Sequence, residues 1–582
     1  MRFAVRLLLI LGVSLTAHAA EEIRPDFAME SDPVLIIPEP VFGFSKKSKP
    51  LWLSALARPE ADLQRLSAET IAQAHFFGVP ELIDAAPLLK KIVTAESTHP
   101  VARFAAARAL IALDATDTAA DLFEVSQRHG ADLRQLIEPA LAKWKFEPIR
   151  SVWRQRLSAK DTRHRELLLA IHGLGESADG SAVPALLSIA HDSRRSSACR
   201  LAAARSAGRL READLETDAE RLTQPASATI VERLCAVSLL DRHASEAAQS
   251  ALLRLARDRE PSVAVAALTR LNAIDHDLVV PRAEQAMQND DAPVRQQGVD
   301  AFVARPTPER IAVLAKLLDD PHPKLRGRVR DALFVLAKRP ELDSAVRQSA
   351  TKMLAGDRWR GQEQAALLLA ALDHKPAAPR FVELVESTRV EVMIAAAWGL
   401  RKLAVRETLP AIFSKATRQT EIRLKQGSLP ELDVQVAHLF EALGLMQHAP
   451  ADPLLRKYFP KDPKLGELSR SAAIWGLGHL YAGTTEEPLA VLMVERLTES
   501  PAAIPFEFPR VRWASAVSLG RMRAKSQVPR MRAFLGPVVG PETTSLAIRW
   551  AINEITGELL PNAEPMVVTK AGWFLEPLDE DK

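Results

Sequence analysis

Apolar residues recur along most of this chain at the spacing of an amphipathic helix. In VARFAAARALIAL, which starts at Val101, the residues Ala102, Ala106, Ala109, Leu110 and Leu113 fall on one helical face. The same pattern, roughly Arg-x-x-Ala-x-x-Ala-Leu-Gly-x-Leu, returns as CRLAAARSAGRL from Cys199, KLRGRVRDALFVL from Lys324 and EVMIAAAWGLRKL from Glu391. It returns again as LSRSAAIWGLGHL from Leu468 and VRWASAVSLGRM from Val511. Weaker copies begin near Thr70, Leu133, Arg163, Val231, Ser262, Pro293, Trp359, Leu432 and Thr543. That makes about fifteen copies, mostly about 31–35 residues apart, the regularity of a repeat architecture. Between copies lies a second apolar helical pattern, such as VPALLSIA from Val183 and IAVLAKLL from Ile311. Each repeat therefore predicts two helices, A and then B. Asp-Asp-Pro at 319–321, Asn-Asp-Asp at 289–291 and Arg-Glu-Pro at 259–261 supply stop and start signals between them. No series of alternating β-branched strands appears.

One such pair of helices cannot bury its apolar face alone, so neighbouring repeats must cover it. The frequent alanines let helices approach closely, and each larger buried side chain contributes roughly 1.5–3 kcal/mol. The expected fold class is an all-α solenoid of about fifteen two-helix repeats. It should form a single curved right-handed superhelix of about thirty short helices.

Composition refines this picture. The 582 residues are 47% hydrophobic and 26% charged, an ordinary globular balance, and only 5% aromatic. The 39 prolines must sit between short helices rather than inside them. Formal net charge is +3, with 76 basic residues interleaved among 73 acidic ones, which argues against nucleic acid as a partner. With two cysteines, Cys199 and Cys235, the chain is no disulfide-dense scaffold and has no four-cysteine zinc site. Two buried thiols are favoured over a disulfide, because the offset between them is not a clean repeat length.

The first residues read as a secretory signal peptide: Arg2 and Arg6, an apolar run over 7–15, then Ala17-His18-Ala19 before a cut after Ala19. No later apolar run is long enough to span a membrane. The expected organisation is a signal peptide at 1–19 and an extended Pro-rich arm at 20–59 that drapes over the first repeat. The solenoid follows at 60–557, and an irregular C-terminal cap with an acidic tail at 558–582. Within that cap, Trp573, Phe574 and Leu575 should dock on the last repeat.

These units resemble HEAT repeats, in particular the short HEAT-like type of phycobilisome-lyase-like proteins, over roughly residues 63–557. The Asp-x-x-Pro-x-Val-Arg opening is matched at 290–295 and approximately at 320–326. Several copies lack the Gly or the Arg. The resemblance speaks for architecture, and such repeats serve many functions.

Two constellations stand out. Aligned B helices place Arg103, Arg134, Arg200, Arg295, Arg326, Arg360, Arg470 and Arg512 at equivalent positions. They either grip an anionic ligand or pair within the repeats. Internal pairing is favoured, since a planar guanidinium makes several directed hydrogen bonds and HEAT proteins carry a comparable ladder. Trp398, Trp475 and Trp550 share one B-helix position, away from the Ala/Leu stripe, where earlier repeats carry Arg108 and Arg205; Trp513 falls nearby. These rings are candidates for an exposed partner-binding patch, unless long loops or the C-terminal tail cover them.

No catalytic motif is present. His172, His191, His438 and His479 are scattered, and there is no His-Glu-x-x-His, nucleophile elbow or phosphate-binding glycine loop. The expected function is an exported, non-catalytic scaffold of a bacterial periplasm or extracellular space. It would bind protein through the concave face, with no cofactor, no metal, no nucleic acid and no membrane span after signal cleavage. The alternative is a chromophore-lyase-like or chaperone-like enzyme that presents a ligand on the solenoid.

Overall fold

Every one of the fifteen motif copies lies on a helix, from Ala61–Phe76 through Pro100–Ala112 and Val390–Leu403 to Thr543–Thr556. In this computed structural model the described residues are 22–576, without Lys46, Pro225, Ala226, Ser428, Pro463, 501–504, Pro537, Val538, Lys570 and Ala571. The expected signal peptide and the acidic end of the tail lie outside them. Among the described residues there are 31 α-helices and two strands of three residues each. The fold is an all-α solenoid of paired HEAT-like helices. The B helices pack on the A helices before them and on B helices of adjacent repeats, as Pro100–Ala112 does on Ala86–Thr94, Ala61–Phe76 and Ala131–Lys143.

Prolines open many of these helices. Pro100, Pro261, Pro323, Pro430 and Pro509 each start a B helix, where the missing N–H would have no helical partner anyway. Pro139 departs from the expectation: it lies inside helix Ala131–Lys143, on an exposed turn. B helices end on a recurring left-handed residue. Asp114, Ala178, Asp373, Gln447 and Arg523 take φ between 52° and 57°. None is glycine, so each turn is strained by about 1–2 kcal/mol, and composition does not mark it.

The chain divides into two compact units. One comprises Met1–Glu39 with Phe302–Met566, the other Pro40–Ala301 with Val567–Lys582. Each terminal segment therefore belongs to the unit built by the far end of the chain.

This changes the expected docking of both ends. Trp573 and Phe574 sit on the first helices, not on the last repeat, while residues 558–562 stay on the last repeat, where Arg549 bonds the Leu560 carbonyl and Asn562. Trp573 lies 5.7 Å from the Trp52 ring and 6.1 Å from Phe77. Trp52, itself buried, donates its indole N–H to the Phe574 carbonyl at 2.6 Å. Strands Val41–Gly43 and Val567–Thr569 pair in parallel beside them. Residues 48–56, expected to be extended, form helix Ser48–Leu56, which carries Trp52. Within the N-terminal arm, helix Ser48–Leu56 packs on Ala61–Phe76 of the first repeat, whereas residues 23–36 lie on the B helices of the unit formed by residues 302–566.

Candidate functional site

The B helices of that unit present a row of side chains at one helical position, and small residues bring the helices close together. A Cβ on Gly444 would meet the Gly476 Cα at 2.6 Å, so helices Pro430–Leu445 and Glu467–Leu480 touch backbone to backbone. Polar and aromatic residues that follow the Ala/Gly stripe then stand side by side.

Residues 23–36 cross this row in the order of the helices. Most of the segment is extended, and Ala28–Ser31 form a single helical turn within it. The Ile23 N–H bonds Asp331 at 3.1 Å. Asp26 accepts from the Trp398 indole at 2.9 Å and pairs with Arg401 at 2.6 Å. Phe27 stacks on the buried His438 ring at 4.5 Å. The Met29 N–H donates to Glu441 at 2.9 Å, and the Met29 side chain is wholly buried. Glu441 in turn pairs with Arg401 at 3.3 Å. Glu30 meets Arg510 at 2.6 Å. The Asp32 carbonyl accepts from Trp475 at 2.9 Å and Arg521 at 3.0 Å, and its carboxylate meets Arg521 at 2.7 Å and His479 at 3.3 Å. Beyond it, residues Val34, Leu35 and Ile36 line a cleft with Leu546, Trp550 and Leu560.

The arm is anchored by charge. Burial opposes ionisation of Asp26, but the Trp398 bond and the Arg401 charge outweigh it and hold the carboxyl below its ordinary range. Asp32 is also held down, first by its contact with His479, against burial, and then by Arg521. His479 is itself pushed below its ordinary value, chiefly by burial, so Arg521 supplies the charge at neutral pH. Both carboxyls have depressed values in the folded state. Their contribution is therefore complete above about pH 4 and is lost as pH falls through the lowered folded values. Hydrogen exchange should show amides 26–32 protected at neutral pH and released on acidification. The double variant Asp26→Asn/Asp32→Asn should lose that protection already at neutral pH. Unchanged protection in the variant would mean that charge does not hold the arm.

The aromatic candidates take a different place from the one expected. Trp398 is 2% exposed, Trp475 0% and Trp513 6%, while Trp550 is half-buried. The expectation of an exposed patch is corrected: Trp398 and Trp475 are covered by the chain's own N-terminal arm, and Trp550 lies against the cleft that the arm lines. Leu559 and Leu560, from the irregular segment after the last helix, line that cleft beside Trp550 as well. The sequence reading missed the arm's anchors Asp26, Phe27, Met29 and Asp32, and their partners Arg401, Glu441 and Arg521. A signal did exist. Asp26, Glu30 and Asp32 are spaced along an arm with no helical period, and cations follow the tryptophan position on the B helices.

The eight aligned arginines sit where each B helix meets the end of the preceding A helix. Arg103 bonds the Val93, Ala95 and Glu96 carbonyls, and Arg512 those of Leu497 and Glu499. Arg200 bonds the Ala190 carbonyl and pairs with Glu232 at 3.2 Å, and Arg134 pairs with Glu166 at 3.0 Å. Arg295 reaches the Asn289 and Asp290 carbonyls, and Arg326 those of Asp320 and Pro321 at 3.5 and 3.3 Å. Arg360 lies over the Trp359 ring at 4.9 Å. Arg470 makes a two-pronged pair with Glu507 at 2.7 and 2.9 Å and also bonds the Tyr458 and Phe459 carbonyls.

Cys199 and Cys235 are both buried and form no disulfide, and burial pushes the Cys235 thiol up to about 11, so it stays protonated. Among the described residues no group of three His, Cys, Asp or Glu side chains is placed to hold a metal ion. None of the described helices is long and apolar enough to cross a membrane.

No protein-family model matches the sequence, and no curated protein matches it. The fold has relatives among solved structures. Kap95p in its complex with RanGDP superposes with a TM-score of 0.51 at 12% identity, over 88% of this chain and 72% of that one. Importin beta, crystallised in ammonium sulfate, gives 0.46 at 13% identity over 87% and 72%. Kap121p bound to Pho4p gives 0.49 at 10% identity over 88% and 57%. The Kap95p likeness is one of fold: a solenoid of stacked helix pairs.

Proposed function

We propose that this protein is an exported, non-catalytic scaffold that holds protein partners on the B-helix side of its repeats. The observation that carries this reading is the arm itself. Residues 23–36 lie along the B helices as a peptide ligand would, with backbone N–H and C=O groups bonded to side chains of the row. A surface that satisfies a largely extended chain in this way has the chemistry of peptide recognition. The N-terminal apolar run with its Ala17-His18-Ala19 site supports export, and a cut after Ala19 would leave the arm whole. Kap95p, which shares the fold, is seen with another protein, RanGDP. The balanced charge speaks for protein rather than nucleic acid as the partner.

Chemical crosslinking in the intact envelope, followed by purification of the full chain and mass spectrometry, tests this. A specific protein should be enriched, with its crosslinks on B helices rather than A helices. Crosslinks confined to A helices would overturn the reading. So would a chromophore absorbing in the purified protein with no protein enriched, which would favour the lyase-like alternative.

A further inference from the structure

In the unit formed by residues 40–301, the helical position that carries Trp398 and Trp475 elsewhere is filled differently, and among the described residues no arm covers it. Arg108, His172 and Arg205 occupy it on helices Pro100–Ala112, His164–Glu176 and Ser197–Leu210, and all three are exposed. Arg209, one turn on from Arg205, is exposed as well. Among the described residues no ion pair engages Arg108, Arg205 or Arg209. His172 stands in the field of two of these arginines: burial first, then the charges of Arg205 and Arg209, push it below its ordinary value. The exposed carboxylate on this stretch of His164–Glu176 is Glu176.

One turn before each of these residues stands an apolar side chain: Phe104 before Arg108, Leu168 before His172, Leu201 before Arg205. Phe104 is 37% exposed, and both leucines are partly exposed. The intervening helix Ala131–Lys143 carries Gln135 and Pro139 at these two positions, both exposed, so apolar and basic side chains stand side by side on Pro100–Ala112 and again on His164–Glu176 and Ser197–Leu210. At the first of these places Val101, Phe104, Leu133 and Leu136 open onto a cleft of about 850 Å³ between helices Pro100–Ala112 and Ala131–Lys143. That is room for an aromatic or large aliphatic side chain.

We propose that these paired apolar and basic positions bind an extended segment of a partner protein in which acidic residues alternate with large apolar ones. The inference rests on the scaffold reading above and names the partner's chemistry. Charge complementarity decides for an acidic partner. The same face of the other unit supplies the precedent, for there Arg401, Arg510 and Arg521 already hold Asp26, Glu30 and Asp32, while Phe27 and Met29 fill the apolar positions. The cleft at Phe104 takes the first apolar residue of the segment, and Arg108, Arg205 and Arg209 take carboxylates further along.

The test uses the full chain and a fluorescein-labelled dodecapeptide of Asp and Ser with two Phe residues, read by fluorescence anisotropy at two salt concentrations. The peptide should bind, and more weakly at high salt. Arg108→Glu/Arg205→Glu/Arg209→Glu should weaken it by at least about tenfold, since like charges then face the ligand. Phe104→Ala should weaken the Phe-containing peptide and leave an all-Asp/Ser peptide unchanged. A control reversal on A helices, Lys91→Glu/Arg221→Glu/Arg254→Glu, should change affinity by less than about twofold if position rather than net charge matters. Equal losses in the two triple variants would overturn the proposal. Tighter binding of a single-stranded oligonucleotide or of anionic vesicles than of the peptide would overturn it too. The two readings fail separately: if envelope crosslinking still enriches a protein in the Arg108/Arg205/Arg209 triple variant, the scaffold stands and this assignment of its partner falls.

Discussion

Arg470→Ala should destabilise the unit formed by residues 302–566 by roughly 3–5 kcal/mol, because it strands a buried carboxylate. Arg470 is 2% exposed and Glu507 is 0% exposed. Burial works against the Glu507 charge, and the two bonds from Arg470 and its positive charge overcome this and keep the carboxyl below its ordinary range. After truncation the remaining cation is Arg496, at 3.6 Å. The Tyr458 and Phe459 carbonyls lose their donor as well. Urea unfolding reads the loss directly, and the variant should recover part of it as pH falls and Glu507 is neutralised. Arg470→Met/Glu507→Met should cost much less than Arg470→Ala, since replacing both partners of a buried pair by apolar groups is often close to neutral. Arg326→Ala at the equivalent repeat position should cost only about 0.5–1.5 kcal/mol. Its carbonyl bonds are 3.3 and 3.5 Å long and its carboxylate partner, Glu363, lies at 3.9 Å. Equal losses for Arg470 and Arg326 would refute the buried-pair account.

Trp475→Ala should cost a similar amount, roughly 3–5 kcal/mol, the range for removing a fully buried tryptophan. The ring is wholly buried, lies 5.0 Å from the Arg521 guanidinium and 4.1 Å from the His479 ring, and donates to the Asp32 carbonyl. Its loss removes packing and the arm's central anchor together. Limited proteolysis should therefore cut the variant within residues 22–39 before the solenoid unfolds. Deleting residues 22–39 should reproduce most of the loss in the same unit. Deleting 572–582 should not, because Trp573 packs on Trp52 and Phe77 in the other unit. A Trp475→Ala protein with unchanged stability and an arm still resistant to protease would show that the arm is not held there.

The contrast between these two residues marks where the sequence is legible. Arg470 was visible as a member of a repeating row, since its carbonyl partners lie 11 and 12 residues upstream, within the same repeat. Glu507 was not visible, because it comes from an irregular connection 37 residues away that belongs to no period. The tryptophans were visible as a departure from the repeat, and their helical angle put them correctly off the Ala/Leu stripe. What covers them was not visible, because the partner of Trp475 lies 443 residues away and that of Trp398 lies 372 away.

By itself, the sequence determined the local and nearest-neighbour physics. The apolar period sets fifteen B helices, the intervening pattern sets their A partners, and the prolines set where helices begin. Stacking follows, because no pair can bury its own face. All of this depends on residues within about one repeat of each other, and such contacts recur often enough to leave a period. Only the tertiary structure decided which terminal segment lies on which repeats. Segments without a period can satisfy their polar and apolar groups on any face of suitable chemistry. The choice falls to contacts made once, across hundreds of residues: Asp26 and Asp32 with Arg401 and Arg521 at one end, Trp573 with Trp52 at the other. A contact made once leaves no repeat to read. The same row of helices therefore looks, in sequence, like one continuous binding face, while in the folded chain part of it is already filled.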